Sequence, residues 1–388
     1  MIFANKMNDM SSAIFTVLKN KMKKLISEGR EVYDLSIGTP DLPPAPHIIK
    51  ALQDAAGLAE NYKYAIADLP ELMDAVMYWY NSRYGVTLAP EEITSLLGSQ
   101  EGLAHISLAL ADPGDTIMVP DPGYPIFSVG PALASAKLYR MPLLPKNNYL
   151  IDFDAIDNTA AHAAKMMIVS YPNNPVTAVA PPDFYEKLVW FAKKFDIVVV
   201  HDNAYSELVF EGKKGASFLG IPGAKDVGVE FNSLSKSYNM TGCRISFALG
   251  NQKVIGQLKI LKSHTDYGVF LPIQKAAIAA IAGPQYQLAG TVQHYEQRRN
   301  ILIEGLDQLG WHVEKPKATM FVWAPIPKGY SSSEAFTLDL IEKTGVIVVP
   351  GSSFGSNGEG FVRIALVQPE QVLRKALESI RQSGILSR

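Results

Sequence analysis

The sequence predicts an α/β protein whose large domain is a mostly parallel central sheet covered by helices, joined to a smaller α+β domain. Two patterns in the chain predict this class. In the first, short apolar segments alternate with helical segments, and strands buried on both faces are typical of a parallel sheet between helices. The clearest of these segments are 116–119, 166–170, 197–200 and 228–232.

The second pattern begins at Gln285, where a long helical segment runs to Leu309 and a different mixture of strands and helices follows. The strands predicted there lie around Val313 and at 321–323, 346–349 and 361–366. Because no low-complexity linker separates the two patterns, the boundary is expected near the long helix rather than in a flexible tether. We therefore predict a large domain at 46–284 and a small domain formed by 1–45 and 285–388.

The sequence predicts a helix followed by a strand in the N-terminal part of the chain. Apolar residues recur at helical spacing among lysines between Met10 and Ile26, which indicates an amphipathic helix. Residues 32–37 alternate like a strand, and the Gly-Thr-Pro-Asp at 38–41 ends it with residues typical of turns. Further helices are predicted at 71–84 and 101–111.

Composition limits the classes of function. The 388 residues include 36 basic and 38 acidic side chains, so the formal charge of −2 predicts no partner nucleic acid or anionic membrane. The apolar segments are too short to span a bilayer, and the single cysteine, Cys243, cannot form an internal disulfide. The seven histidines show no metal-ligand spacing, so no metal is expected. We predict a cytoplasmic protein that binds small molecules.

Polar side chains follow three successive strands of the predicted parallel sheet. They are Asn174 after the first strand, Asp202 and Tyr205 after the second, and Lys236 after the third. Ligands of an open parallel sheet bind beyond the carboxyl ends of its strands. These four side chains are therefore expected to meet at one edge of the sheet.

An amine, a carboxylate and hydrogen-bond donors at one site are the groups that pyridoxal 5'-phosphate requires. Lys236 is predicted to be the catalytic residue, which forms an imine with this cofactor. Asp202 would keep the pyridine nitrogen protonated, while Asn174 and Tyr205 would donate hydrogen bonds to the phenolate oxygen. Tyr124 follows another predicted strand and is expected to stack on the pyridine ring.

The phosphate of such a cofactor requires hydroxyls, a guanidinium and unpaired backbone N–H groups. Ser99 and Gln100 come at the start of a predicted helix, where N–H groups and the helix dipole favour an anion. Ser233, Ser235 and Arg244 complete the predicted phosphate site.

These motifs resemble a known family. Asn-Asn-Pro, then Asp-x-x-Tyr, then Ser-x-Ser-Lys with Arg244 eight residues later resemble class I and II aminotransferases of the aspartate aminotransferase fold. The likeness extends from about Leu35 to Leu366. Segments 98–102, 233–242 and 361–366 are most similar to LL-diaminopimelate aminotransferase-like proteins. The resemblance implies fold type I of the pyridoxal-phosphate enzymes, and transfer of an amino group between an L-amino acid and a 2-oxo acid.

The resemblance also implies substrate-binding residues and a partner subunit. It assigns Arg363 to the α-carboxylate of the substrate, with Gly38 and Asn174 facing the same molecule. Tyr64 resembles the tyrosine that reaches the cofactor phosphate from a partner subunit. A homodimer with its active site at the interface follows from that assignment.

The chain departs from the family pattern at two places. Val176-Thr177 replaces the usual Thr-Gly after Asn-Pro, and Cys243 and Ser246 replace the usual tryptophan and glycine near Arg244. Because Asn174 and Arg244 are retained, cofactor binding is expected to be retained as well. Because the residues beside Asn174 and Arg244 differ from the family pattern, the sequence does not determine which amino acid is the substrate.

Two other functions are open from the sequence. A pyridoxal-dependent carbon–sulfur β-lyase shares this fold and often has Asn-Pro-Val, as at 174–176. The effector module of a transcription regulator also shares it, but such proteins carry a helix-turn-helix, of which the sequence has no sign. Each short motif is weak by itself, since Ser-x-Ser-Lys also occurs as an ordinary helix cap. The order of the motifs and their strand-end positions favour the aminotransferase.

Overall fold

The computed structural model describes residues 4, 6–7 and 13–386. Within those residues the helices, in chain order, are α1 (Ala13–Ser27), α2 (Pro46–Ala56), α3 (Pro70–Tyr84), α4 (Ser99–Leu110), α5 (Ile126–Leu133), α6 (Asn158–Ala163), α7 (Pro182–Phe195), α8 (Ala224–Val227), α9 (Leu234–Ser237), α10 (Gln252–Thr265), α11 (Leu271–Ala282), α12 (Tyr286–Gln308), α13 (Ser333–Thr344) and α14 (Glu370–Ser383). The strands are β1 (Tyr33–Asp34), β2 (Ile93–Leu96), β3 (Thr116–Asp121), β4 (Lys137–Pro142), β5 (Ala164–Ser170), β6 (Val198–Asp202), β7 (Gly228–Ser233), β8 (Ser246–Gly250), β9 (Phe321–Pro325), β10 (Val346–Ile347), β11 (Val349–Pro350) and β12 (Phe361–Ala365).

In the described part of the chain, the largest sheet has seven strands in the order β2-β8-β7-β6-β5-β3-β4. The five strands from β7 to β4 are parallel to their neighbours, whereas β8 runs antiparallel to both β7 and β2. The predicted α/β class with a mostly parallel central sheet is confirmed.

The central strands are apolar because helices cover both faces of the sheet. On β5, Met166 and Ile168 pack into the apolar core on one face, while Met167 and Val169 pack into the core on the other. Successive side chains of a strand point to opposite faces, so a strand with two buried faces needs an almost continuous apolar run.

A smaller antiparallel sheet has the order β11-β12-β9, and β1 pairs with β10 beside it. The apolar core around these strands draws on both ends of the chain, from Tyr33 and Leu35 to Leu373 and Ile380. The C-terminal helices α13 and α14 therefore pack on residues that precede the large sheet in sequence.

The structure differs from the sequence prediction at several short elements. The segment predicted as one strand at 346–349 is two strands, β10 and β11, which belong to different sheets. Val313 lies outside the strands. No helix in the described part of the chain is both long enough and apolar enough to cross a bilayer.

Candidate active site

A cavity of about 510 Å³ lies at the carboxyl ends of β5, β6 and β7. It is lined by every residue that the sequence predicted to bind cofactor or substrate, apart from Tyr64. These lining residues are Gly38, Ser99, Gln100, Tyr124, Asn174, Asp202, Tyr205, Ser233, Ser235, Lys236, Arg244 and Arg363.

Lys236 reaches this cavity from the short helix α9. The side chain of Ser233 accepts a hydrogen bond from the Ser235 N–H at 3.1 Å and so caps the helix. The Lys236 ammonium donates to the Gly38 carbonyl at 2.6 Å. Burial, reinforced by the positive charges of Arg363 and Arg244, lowers the pKa of Lys236 to about 8. An uncharged amine is therefore accessible near neutral pH.

Asp202 is the last residue of β6 and is buried. Burial raises the pKa of its carboxyl to about 6, an effect opposed by His201, the Ala204 N–H and Lys236. Its Oδ1 has no hydrogen-bond partner among the described residues. Because an unpaired buried carboxylate oxygen is costly, this atom is suited to a donor on a bound molecule.

The start of α4 and Arg244 lie side by side in the lining of the cavity. Gly98 precedes α4 with a φ of 87°, and a Cβ at that position would lie 2.1 Å from Arg244 Nη2. Only glycine therefore allows the guanidinium to lie against this turn. Arg244 Nη1 donates to the Thr241 carbonyl at 3.2 Å, and the buried Ser99 hydroxyl has no partner among the described residues.

Arg363 lies on β12 and also lines the cavity. Its Nη1 donates to Asn174 Oδ1 at 3.0 Å and its Nη2 donates to the Ser36 carbonyl at 2.8 Å. The guanidinium lies over the rings of Phe321 and Phe354, at 4.2 and 4.8 Å from their centroids. Burial lowers the pKa of Arg363 to about 10, so the side chain stays charged at neutral pH.

Two tyrosines complete the wall. Burial raises the pKa of both Tyr124 and Tyr205, so both phenols keep their protons and can donate at neutral pH. The ring of Tyr205 packs edge-on against Phe321 at 5.9 Å. A Cβ at Gly38 would lie 2.5 Å from the same Phe321 ring, so the loop that carries Gly38 packs directly on it.

Comparison with known proteins decides the family. The family model for aminotransferase class I and II matches residues 30–380. The chain belongs to this family. It is an aminotransferase that uses pyridoxal 5'-phosphate, so the predicted family, activity and cofactor are confirmed.

The similar proteins match the aminotransferase over nearly its full length. LL-diaminopimelate aminotransferase from Moorella thermoacetica is 45% identical over 98% of this chain and 97% of its own. Among solved structures, substrate-bound BacF from Bacillus subtilis has a TM-score of 0.94 and 38% identity, covering 98% of each chain. A probable N-succinyldiaminopimelate aminotransferase from Thermus thermophilus has a TM-score of 0.90 and 36% identity, covering 96% of this chain and 100% of its own.

The residues of the cavity fit the cofactor of the family. The unpaired Oδ1 of Asp202 suits the protonated ring nitrogen, and the unpaired hydroxyl of Ser99 beside Arg244 suits the phosphate. Lys236 lines the same cavity and supplies an amine. Nothing in the donor set conflicts with the cofactor.

Tyr64 is placed differently from the other predicted residues. It lies outside the cavity, is 80% exposed, and packs its ring against Tyr267 at 5.4 Å. Several lining residues were not predicted: Ile37, Thr39, Leu103, Ala204, Thr241 and Phe321. The sequence could have indicated Thr241, because it lies between Lys236 and Arg244 in the chain. Nothing in the sequence indicates Phe321, because this residue comes from β9 in the smaller antiparallel sheet.

One group of possible metal ligands occurs among the described residues, formed by Glu101, His105 and Asp266. The ammonium of Lys262 lies between them, 2.9 Å from Asp266 Oδ2 and 3.3 Å from Glu101 Oε2. The ammonium of Lys262 therefore already neutralises these carboxylates in place of a metal ion.

Proposed function

We propose that this aminotransferase uses Lys236 as its catalytic amine, Asp202 as the partner of the cofactor's ring nitrogen, and Arg363 as the site of the substrate's α-carboxylate. The observation that carries the proposal is the meeting of these three side chains in one cavity with Asn174. Together they suit transfer of an amino group between an L-amino acid and a 2-oxo acid.

When bound, pyridoxal 5'-phosphate supplies an electron sink for the negative charge that develops at the substrate Cα. Asp202 favours this by holding a proton at the ring nitrogen through its unpaired Oδ1. Lys236 Nζ, with a pKa lowered to about 8, would take the α-proton from the substrate as a base and then deliver that proton to the bound cofactor. Tyr205 and Asn174 would donate hydrogen bonds to the phenolate oxygen of the cofactor.

Arg363 orients the substrate. Its planar fork suits a carboxylate, and its Nε has no hydrogen-bond partner among the described residues. The contacts of its Nη atoms are to neutral oxygens of Asn174 and Ser36. An ionised carboxylate forms stronger hydrogen bonds than these neutral acceptors, so it competes well for the guanidinium.

For the amino donor we propose LL-diaminopimelate, because the similar curated proteins carry that name at 41–45% identity over nearly their full length. The charged residues among the described lining are Asp202, Lys236, Arg244 and Arg363. All four have proposed roles at the cofactor or the α-carboxylate. The second charged end of such a donor therefore needs a residue from outside this set.

A half-reaction screen tests the function. Single amino acids are added to the purified holoenzyme without any acceptor, and the absorbance of the bound cofactor is followed. The panel contains LL-diaminopimelate, aspartate, alanine, methionine and an aromatic amino acid. Conversion with LL-diaminopimelate is expected. A silent panel with intact bound cofactor would contradict the proposed donor class, and pyruvate and ammonia released from cystathionine without a 2-oxo acid would point to β-lyase chemistry.

A homodimer is proposed from an exposed aromatic and aliphatic patch near Tyr64. Tyr62 is 65% exposed and packs on Phe270 at 5.3 Å, while Tyr64 packs on Tyr267 and Ile66 is 81% exposed. Apolar patches of this kind mark association surfaces. Tyr64 would then reach the phosphate in the partner's cavity. Sedimentation velocity tests whether the chain is a dimer. The variant Y64F is expected to weaken retention of the cofactor while the dimer stays intact.

A domain division and a cellular location are proposed together with the function. The apolar cores on the two faces of the large sheet and the separate core around the small sheet support a division into a large domain at 46–284 and a small domain formed by 1–45 and 285–388. A cytoplasmic location is proposed because the chain has a single cysteine, Cys243, which is free. Fractionation of cells expressing the chain tests the location.

A further inference from the structure

His201 lies next to Asp202 on β6 and is completely buried. Because side chains alternate along a strand, the imidazole points to the face of the sheet opposite the cavity. There its Nδ1 is 2.9 Å from Glu230 Oε2, on the neighbouring strand β7. Its Nε2 is 3.1 Å from the Tyr171 carbonyl and 3.3 Å from the Tyr185 hydroxyl.

Three other donors surround the carboxyl group of Glu230. It accepts hydrogen bonds from the Tyr80 hydroxyl, the Ser217 hydroxyl and the Phe218 N–H, each at 2.8 Å. The Tyr80 hydroxyl accepts from Asn232 at 3.0 Å, which leaves its own proton for Glu230. With these donors directed at its two oxygens, Glu230 is suited to act as an acceptor toward His201 as well.

Both ring nitrogens of His201 therefore face acceptors. A backbone carbonyl can only accept, and so can an ionised carboxylate, whereas a neutral imidazole has one N–H. Among the described residues, the Tyr185 hydroxyl is the group able to donate to Nε2, but the Tyr171 carbonyl is closer. The arrangement satisfies every contact only when both nitrogens carry a proton.

From this geometry we infer that His201 is a buried imidazolium, protonated at both ring nitrogens, whose charge keeps the neighbouring Asp202 carboxylate ionised. His201 is thus a positioning residue that acts through Asp202, and the inference rests on the proposed role of Asp202 at the cofactor's ring nitrogen. It also explains why a charged pair is present at this depth of the core, where it contacts no substrate.

The electrostatics around Asp202 agree with this role. Burial raises the pKa of Asp202, and the positive charge of His201 is the largest influence that opposes the rise. Glu230 adds a smaller effect in the other direction, while the Ala204 N–H and Lys236 assist His201. Without the imidazolium, the carboxyl would be protonated over more of the neutral range and would be a poorer acceptor for the ring N–H.

Nitrogen NMR of the holoenzyme tests the charge directly. In protein labelled at histidine nitrogens, contacts with the rings of Tyr185 and Phe218, at 5.4 and 6.0 Å, assign His201. At mildly alkaline pH we expect the spectrum to show a proton on both nitrogens of His201, because both nitrogens face acceptors. One unprotonated nitrogen on His201 under these conditions overturns the inference.

A variant pair tests the effect on the cofactor. H201N removes the charge, and H162N removes an exposed histidine as the matched control. The pH midpoint of the bound cofactor's absorbance is expected to move upward by about one pH unit in H201N and to stay unchanged in H162N. An unmoved midpoint in folded H201N overturns the inference. If H201N does not fold, E230Q and the NMR measurement on the natural chain decide.

The variant D202N separates this inference from the proposed function. Full cofactor binding and activity in D202N contradict the proposed role of Asp202, whatever the charge of His201. Loss of activity in D202N together with a neutral His201 contradicts the inference alone.

Discussion

Arg363 donates a hydrogen bond to Asn174 Oδ1 at 3.0 Å, and this contact joins the small antiparallel sheet to the loop that follows β5. The two residues are 189 positions apart in the chain. The contact lies in the lining of the cavity and joins the proposed substrate-binding guanidinium to a proposed cofactor ligand. Substrate and cofactor binding are therefore expected to affect each other through this pair.

The first prediction concerns the guanidinium. R363K keeps a positive charge but loses the planar fork and the packing over Phe321 and Phe354. We expect kcat/KM for the half-reaction to fall by about 100-fold, which corresponds to about 3 kcal/mol of lost charged hydrogen bonding. Stopped-flow absorbance measures it. R140K on the exposed part of β4 is the control, and an equal effect in both variants would argue against a substrate role.

The second prediction concerns Lys236. K236A is expected to abolish turnover and the adduct that borohydride traps on the chain, because no other amine lines the described cavity. Mass spectrometry of peptides from the reduced holoenzyme locates the adduct. K253A, at an exposed lysine, should keep both activity and adduct. A trapped adduct that persists on K236A would refute the assignment.

The third prediction is a pH dependence. Since burial lowers the pKa of Lys236 to about 8, the uncharged amine increases as the pH rises toward that value. Covalent cofactor uptake by the cofactor-free chain should therefore accelerate about tenfold per pH unit below 8 and level off above it. A rate that continues to rise up to the ordinary lysine pKa of 10.5 would show that the amine is not perturbed.

The fourth prediction concerns Gly98. A methyl group in G98A would meet Arg244 Nη2 at 2.1 Å, and a φ of 87° is unfavourable for alanine. We expect cofactor affinity to fall by about tenfold or more, because one charged hydrogen bond is worth about 1.5 kcal/mol or more. Equilibrium dialysis measures the affinity. The control is G290A in α12, where a Cβ meets no atom within 4 Å.

The fifth prediction concerns Thr177, which has a φ of 61° where the family usually has glycine. A left-handed conformation costs a residue with a Cβ about 1–2 kcal/mol, so T177G should raise the midpoint of thermal unfolding. T87G, at an exposed position without positive φ, should lower it instead, because glycine makes the unfolded chain more flexible. A lower midpoint in T177G would mean that the side chain contributes more than the strain costs.

Much of the large sheet was predictable because its central strands are apolar on both faces. The strands that the sequence did not indicate lie toward the edges. They are β2, β4 and β8. The short apolar runs of β2 and β8 each include a serine. On β4 the burial alternates only weakly, since this edge strand has a neighbour on one side alone. Such strands have no periodic signal strong enough to separate them from loops.

The candidate site was predictable where each group lies at the end of a strand or within a few residues of it, as Asp202 and Lys236 do. Residues that act through distant packing were not. Phe321 lies on the small sheet beside Arg363 and packs against Gly38, and the proposed charge of His201 depends on Glu230, whose other donors come from two distant segments. Pairings of this kind depend on tertiary contacts, for which a single sequence carries no local pattern.

The alternation of side chains on β6 makes the chain intolerant of length changes there. Insertion or deletion of one residue before His201 would exchange the two faces, so that the imidazole would enter the cavity and the carboxylate would enter the core. Both groups would then lack partners at once. Evolution or engineering of new substrate preferences in this scaffold must therefore proceed through the loops beyond the strand, whereas β6 itself tolerates substitutions only in its present frame.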